Sequence, residues 1–331
     1  MHRTPFLLSL LSLLIAILLS LAIGSVFIPP AELWSVISGV AADTSRTILL
    51  DIRLPRTVLI ALVGAALAGS GAAYQGLFRN PLADPYLIGV ASGAGLGAIL
   101  AMSIRWPYTT LGYLAVPMAA FLTSLLTVYI VYLIAHIGGS VPTTNLILAG
   151  VAVSSFAVSL TSFLMLRSTG EVRRAIGWLL GGVTLVSWDA TFALIPYLAL
   201  GLGTLILGGY SLNLLQFGDD QATQMGLNVG RAKFIIIVAA SLVTAAAVSF
   251  AGIIGFVGLI VPHIVRFWWG VDYRRLIPLS ILGGASVLLL ADVLARIVLA
   301  PQELPVGIVT ALAGAPFFLW VLRRSKSQGY W

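Results

Sequence analysis

Cysteine is absent from the sequence, which excludes disulfide bonds, thiolate metal ligands and cysteine nucleophiles. Charged residues are also few: 18 basic and 11 acidic residues make up 9% of the 331 residues, whereas a soluble domain carries about a quarter. Because 60% of the residues are hydrophobic, we expect most of the surface to meet lipid or other helices. The basic residues occur singly or in pairs rather than in the stripe typical of nucleic-acid binding, so no nucleic-acid partner is expected.

Motifs that would supply chemistry within the chain are missing. The sequence has no G-x-x-x-x-G-K-[ST] nucleotide-binding loop and no H-E-x-x-H zinc motif. Its three histidines, His2, His136 and His263, are too far apart to suggest a metal cluster. Carboxylates are almost absent from the apolar runs, with Asp292 the deepest, whereas ion-coupled carriers usually place carboxylates near the membrane midplane. We therefore expect no catalytic residue, no metal site and no bound cofactor, and a source of energy outside this chain.

Apolar runs of about 20 residues, the length that crosses the hydrocarbon core, predict an all-α polytopic membrane protein with one domain over residues 1–331. A cleaved signal peptide is the alternative for the first run, but the apolar region of a signal peptide is shorter. Residues 251–269 are rich in glycine and contain Pro262, which predicts a short or broken helix. The ten predicted spans are about 4–28, 57–78, 85–103, 112–136, 143–166, 189–208, 234–250, 253–269, 277–298 and 305–322.

Ten spans place both termini on one side of the membrane, and the basic C-terminal tail indicates that this side is cytoplasmic. The remaining charge asymmetry is weak, because ten basic residues fall inside and eight outside. Either the topology is wrong or the outer arginines have a function, and we favour the second interpretation. The eight outer residues are Arg46, Arg53, Arg56, Arg105, Arg167, Arg173, Arg174 and Arg296.

Two pairs of charged residues stand at the outer ends of predicted spans. Arg53 and Arg56 are three residues apart, so they can face the same way on a helix. They are either interfacial anchors with snorkelling side chains or a docking site for an acidic partner. Asp292 and Arg296 are four residues apart, a spacing that also permits an ion pair within one helix.

The turn between the second and third spans carries local signals. Asp84 followed by Pro85 is a helix-start pattern, in which the carboxylate caps exposed N–H groups. In the third span, Gly89, Gly93 and Gly97 recur every fourth residue, as in membrane helices that approach one another closely. We expect this glycine stripe to serve packing.

Two longer loops have mixed character. Residues 210–233 carry acids at a helix start and glycine at a helix end, which predicts two short cytoplasmic helices, with a solvated connector as the alternative. Residues 167–188 contain Arg173, Arg174 and Trp178. They predict an amphipathic stretch at the mouth of a cavity, or an interfacial anchor.

A series of motifs from about residue 50 to 322 closely resembles the FecCD-type permeases of ABC importers for iron chelates, haem and cobalamin. The matching runs are Arg53-Leu-Pro-Arg-Thr57, 64–71 with Gln75, Asn80-Pro-Leu-Ala-Asp-Pro85, 87–95, 148–152, 256–266, 291–296 and 303–316. The resemblance implies ten helices per subunit and no ATP-hydrolysing site. It also implies a second copy of the chain, two cytoplasmic ATP-binding cassette subunits that hold ATP and magnesium, and one extracytoplasmic substrate-binding protein. Its location would be the bacterial cytoplasmic (inner) membrane.

The resemblance also implies roles for particular residues. Arg53, Arg56 and Arg296 match arginines on which acidic residues of the binding protein dock. The segment of about 212–230 matches the helices that couple the permease to the ATPase; its central residues are Asp219, Asp220, Gln221, Met225 and Gly226. The residues that match the inner gates are Asn80, Leu82, Thr143 and Thr144. Arg173 or Arg174 matches a basic position that faces the outer vestibule.

The function expected from these observations is ATP-driven uptake of a bulky metal chelate, namely haem, a ferric siderophore or a corrinoid. A self-sufficient secondary transporter or channel is the alternative, and an intramembrane enzyme is a more remote one. The sequence leaves the choice among the three chelates open.

Overall fold

The protein is described here from a computed structural model covering residues 4–24, 27–39, 43–104, 106, 109–137, 141–167, 172–183 and 186–327. The described chain is built of helices, which agrees with the all-α prediction. The α-helices are α1 (Thr4–Ala22), α2 (Pro30–Ile37), α3 (Asp43–Thr47), α4 (Leu54–Leu77), α5 (Val90–Met102), α6 (Thr110–Ala135), α7 (Thr143–Arg167), α8 (Val172–Leu179), α9 (Trp188–Leu207), α10 (Gly209–Leu215), α11 (Asp219–Gln224), α12 (Val229–Ala251), α13 (Val257–Trp269), α14 (Tyr273–Ile297) and α15 (Val306–Ser327). A π-helix, Ile48–Arg53, leads into α4, and a 3₁₀ turn, Pro85–Ile88, precedes α5.

Seven helical segments in the described part of the chain are long and apolar enough to cross a membrane. The other three predicted spans correspond to shorter apolar helices, Val90–Met102, Val257–Trp269 and Val306–Val321. The protein is therefore a multi-pass membrane protein, while the count of ten crossings and the cytoplasmic position of the termini stay predictions. The short α13 agrees with the short or broken helix that the glycines and Pro262 predict.

Two helix ends differ from the predicted span boundaries. Helix α1 ends at Ala22, not near residue 28, and its last carbonyl groups accept hydrogen bonds from arginine side chains described below. Helix α5 begins at Val90 rather than at residue 85 because Gly89 has a φ of 87°, a left-handed conformation that ends the 3₁₀ turn. The predicted Asp84 cap is present: Tyr86 N donates to Asp84 Oδ1 at 2.8 Å.

Helix α4 is the centre of the bundle and packs against α9, α12, α13 and α14. Its small residues let backbones meet. A Cβ added at Gly64 would lie 2.3 Å from Gly284 O on α14, and one at Gly71 would lie 1.9 Å from Gly258 O on α13. Since no side chain fits at such distances, glycine is required at these crossings.

The glycine stripe of α5 packs against α6. A Cβ at Gly93 would lie 2.3 Å from Thr127 Oγ1, and one at Gly97 would lie 2.0 Å from Thr123 Oγ1. Thr123 Oγ1 also donates to Gly93 O at 2.8 Å. The predicted packing role of the stripe is therefore confirmed.

At each end of the bundle, segments that the predicted topology places on the same side of the membrane contact one another. At one end of the bundle, Gln216 Nε2 donates to Gly76 O at 2.9 Å. At the other end, Trp188 Nε1 donates to Leu50 O at 3.1 Å. We call these the inner end and the outer end, following the predicted topology.

Candidate docking and coupling surfaces

The outer end of the bundle carries a cluster of charged residues from three parts of the chain. Asp292 on α14 is fully buried and lies between two arginines. Its Oδ1 accepts from Arg56 Nη2 at 2.9 Å and from Arg56 Nε at 3.1 Å. Its Oδ2 lies 3.0 Å from Arg296 Nε, so the intrahelical ion pair that the spacing allowed is present. Glu303, in the loop after α14, accepts from Arg56 Nη1 at 2.7 Å. We call Arg56, Asp292, Arg296 and Glu303 the outer ion cluster.

The C-terminus of α1 is tied to this cluster by two arginines. Arg53 Nη1 donates to Leu21 O at 2.6 Å and to Ala22 O at 3.1 Å. Arg296 donates to Ser20 O at 3.2 Å from both terminal nitrogens, and to Ser20 Oγ at 3.0 Å. The last carbonyl groups of a helix have no partner within the helix and carry partial negative charge. The two guanidinium groups therefore hold the end of α1 against α4 and α14.

The three arginines of the docking prediction are thus not equally accessible. Arg53 and Arg296 are buried, and their guanidinium groups contact the subunit itself. Arg56 is mostly buried, but its partner Glu303 is 48% exposed. The structure therefore adds a role within the subunit that neither anchoring nor docking anticipated. The sequence analysis missed Glu303 as the partner of Arg56, and no local signal joins two residues so distant in the chain.

The inner end presents the two short helices predicted for residues 210–233, namely α10 and α11. Gly218, with a φ of 101°, and Gly226, with a φ of 87°, flank α11. We call residues 209–226 the coupling segment. All five predicted coupling residues lie together on its exposed surface: Asp219, Asp220, Gln221, Met225 and Gly226.

Hydrogen bonds hold α10 against α14. Asn213 Nδ2 donates to Asp272 Oδ1 at 2.6 Å, and Tyr273 N donates to Asn213 Oδ1 at 2.9 Å. Burial by itself would raise the pKa of Asp272, but hydrogen bonds from Asn213 and from Arg274 N, with the charges of Arg274 and Arg275, lower this pKa below its ordinary value. An ionised Asp272 therefore caps α14 and anchors the coupling segment to it.

The predicted gate residues lie at the same inner end. Asn80 closes a turn in which Leu82 N donates to its Oδ1 at 2.9 Å. Thr143 is half-buried and Thr144 is exposed at the first turn of α7. Helix α7 packs against the 3₁₀ turn that follows the Asn80 loop, where a Cβ at Gly150 would lie 2.1 Å from Leu87 O. The two pairs therefore lie on neighbouring elements.

Asp84 lies in the same loop as Asn80. Burial raises the pKa of Asp84 to about 6, although the hydrogen bond from Tyr86 N lowers it. The carboxylate is therefore largely ionised at neutral pH, and its cap on the 3₁₀ turn is formed.

Helix α8 has the amphipathic character that the sequence predicted for its region. Arg173 and Arg174 are exposed, whereas Ala175 and Trp178 are buried. The end of α8 borders an open apolar concavity of about 410 Å³, between the loop before α13 and helix α15. Its lining includes Leu179, Leu180, Ile253, Gly307 and Ile308.

The chain is similar to known transport proteins over nearly its whole length. A sequence model of the FecCD transport family matches residues 12–324. The cobalamin import system permease BtuC of Halobacterium salinarum is 46% identical and covers 85% of this chain and 74% of its own. The hemin transport system permease HmuU of Yersinia pestis is 39% identical, over 96% of each chain. A solved structure described as an inward-facing conformation of a metal-chelate type ABC transporter superposes with a TM-score of 0.85 at 29% identity, covering 98% of this chain and 99% of the other.

Proposed function

The chain belongs to the FecCD transport family, and from this premise we propose that it is the membrane-spanning permease subunit of a binding-protein-dependent ABC importer. Two copies would enclose the pathway in the bacterial cytoplasmic (inner) membrane, and two cytoplasmic ATPase subunits would supply the energy. An extracytoplasmic binding protein would deliver the substrate. The substrate class is a bulky metal chelate, since relatives are named for cobalamin and hemin.

The observation that carries this proposal is the coupling segment. Its helix α11 exposes polar side chains, and hydrogen bonds join the segment to the ends of α4 and α14. Displacement of such a segment by a cytoplasmic partner would move these helices with it. A permease that has no nucleotide-binding site of its own needs such a surface, through which an ATPase partner can move its helices.

We expect an ATP-binding cassette subunit to copurify with this chain. Vesicles that contain both, with the binding protein outside, should take up a haem, ferric-siderophore or corrinoid chelate when ATP is present on the ATPase side. The same vesicles with an ATPase inactivated in its nucleotide site are the control. Uptake that persists in the control would contradict the proposal.

A secondary carrier is disfavoured by the environment of Asp292. This carboxylate, the deepest that the sequence offers for ion coupling, is held between Arg56 and Arg296. Guanidinium nitrogens of the subunit itself lie 2.9 Å from its Oδ1 and 3.0 Å from its Oδ2, so neither oxygen is open to a transported cation. Uptake by the chain alone that depends on an ion gradient would favour the carrier instead.

For the binding protein, we propose that docking centres on Arg56 at the outer end. Arg53 and Arg296 would support this site from below by fixing the end of α1, instead of meeting the partner themselves. Glu303 already occupies Arg56 Nη1, and an acidic side chain of the partner would compete with it. The pair Arg56–Glu303 is partly exposed, so the exchange of one carboxylate for another costs little.

Glu303→Gln should therefore strengthen the association of the permease with its binding protein, by about two- to fivefold, the range of an exposed ion pair. The gain should be larger at low salt, where exposed charges are screened least. Binding of the purified partner to the permease in nanodiscs measures it.

Asp51→Asn is the matched control, because it removes the same charge from an exposed position on the predicted outer side. It should change the affinity less than Glu303→Gln. A weaker association after Glu303→Gln would mean that Glu303 itself contacts the partner, and the exchange model would be wrong.

For the pathway, we propose that the apolar concavity beside α8 faces the second copy and forms part of the substrate route. Arg173 and Arg174 would lie at the outer vestibule, where a cation suits the carboxylates of haem or of an anionic siderophore. Asn80, Leu82, Thr143 and Thr144 would surround the inner opening. The choice among chelates rests with binding assays on the cognate binding protein.

A further inference from the structure

Lys233 is a buried cation at the inner end of α12. Its side chain lies in the second turn of the helix and is only 6% exposed. Its ammonium nitrogen lies 2.5 Å from Asp219 Oδ2, the first residue of α11. A buried cation needs a partner because it has lost its hydration, and the coupling segment supplies that partner.

Helix α11 would otherwise be weakly held. It has only six residues and lies between Gly218 and Gly226, both with positive φ. Such glycines permit the backbone to rotate at each end. Against the bundle, Ala222 is fully buried, whereas the bond from Leu227 N to Ala222 O at 3.0 Å closes the end of α11 within the segment itself. The Lys233–Asp219 ion pair is therefore a main determinant of the orientation of α11 relative to α12.

The two neighbouring acids of α11 differ in their surroundings. Asp219 is 47% exposed and directs one oxygen to Lys233. Asp220 is exposed at the same end of the same helix. The structure thus has two adjacent carboxylates, of which the first pairs with α12 and the second is exposed.

We propose that Lys233 is a positioning residue for energy coupling, which locks α11 to α12 so that displacement of α11 moves the spanning helix. The inference rests on the proposed function. Hydrogen bonds already join α10 to α4 through Gln216 and to α14 through Asn213. With Lys233 in place, α4, α12 and α14 would follow the coupling segment together. Without it, α11 would rotate about Gly218 and Gly226, and much of the movement would not reach α12.

The test compares variants in vesicles that contain the complete importer, with substrate transported per ATP hydrolysed as the readout. Lys233→Met keeps the length and packing of the side chain and leaves Asp219 able to hydrate, so the subunit should still fold. We expect ATP hydrolysis to continue and the transport ratio to fall by about tenfold. Asp219→Asn should lower the ratio similarly.

A double variant that exchanges the two charges distinguishes a positioning role of the ion pair from a role in stability alone. Lys233→Glu alone should uncouple the importer, and Lys233→Glu combined with Asp219→Lys should recover a substantial part of the ratio. Asp189→Asn, which removes an exposed carboxylate from the first turn of α9 outside the coupling segment, is the control and should leave the ratio near that of the unmodified protein. Thermal unfolding of each variant in nanodiscs verifies that the fold is retained.

A transport ratio unchanged in Lys233→Met, or a double variant no better than Lys233→Glu, would overturn the inference. Failure of the proposed function would look different, because the unmodified protein would then show no ATP-dependent uptake. The unmodified protein therefore tests the proposed function, and the variants test the role of Lys233.

Discussion

Asp292→Asn is expected to lower the free energy of unfolding by about 3–5 kcal/mol, the cost of removing one partner from a buried ion pair. Asp292 is fully buried and is paired with both Arg56 and Arg296. An asparagine keeps the shape but not the charge, so two guanidinium groups would repel each other in a site with little water. Since Arg296 also holds the end of α1, we expect that helix to loosen first.

Denaturant unfolding of the subunit in lipid nanodiscs or mild detergent measures this effect. Glu303→Gln is the matched control, since it removes a carboxylate from the same cluster at an exposed position. It should cost at most about 1 kcal/mol. Equal losses for the two variants would show that burial does not set the energetics of the outer ion cluster.

Gly71→Ala is expected to destabilise the bundle by about 3 kcal/mol, at the upper end of the range for overpacking. The new methyl group would stand 1.9 Å from Gly258 O and 2.7 Å from Gly258 Cα. These are backbone atoms of α13, so no side-chain rotation relieves the clash. Helices α4 and α13 would have to separate at the centre of the bundle, and the yield of folded protein should fall accordingly.

Gly203→Ala on α9 provides the comparison, because a Cβ there would meet no atom within 4 Å. Alanine is better than glycine in a helix by about 0.5–1 kcal/mol, so this variant should be neutral or slightly stabilising. Thermal unfolding of both variants under one condition gives the difference. If Gly71→Ala were as stable as Gly203→Ala, the close crossing of α4 and α13 would be wrong.

Many local features of the protein follow from short stretches of sequence. Apolar runs between charges indicate the helices, because a chain in lipid must satisfy its backbone within each segment. The Asp84 cap, the glycine stripe of α5 and the short helices α10 and α11 have signals within a few residues of one another, and the structure contains each of them. Helix α1 ends at Ala22, before the predicted end of the first span, and its last carbonyl groups bind Arg53, a residue from the next segment.

The residue pairs of the candidate surfaces were harder to predict because the paired residues are distant in the sequence. The spacing of Asp292 and Arg296 allowed an ion pair, but it gave no sign that Arg56 and Glu303 complete the cluster. In the coupling segment, Asp219 and Asp220 have equivalent sequence signals. Only the packing of α11 on the first turns of α12 separates them, by bringing Asp219 to Lys233.

Composition, hydrophobic runs and ordered motifs were therefore sufficient for the membrane class, the helical fold and the family, because each depends on residues close together in the chain or on their order along it. The tertiary structure decided how the charges are used. A buried charged side chain needs either an opposite charge or the end of a helix beside it. In the outer ion cluster these partners come from distant parts of the chain, so only the packing of the helices identifies them. Three of the eight arginines predicted to lie outside are bound within the subunit: Arg53 and Arg296 hold α1, and Arg56 joins Asp292 to the exposed Glu303.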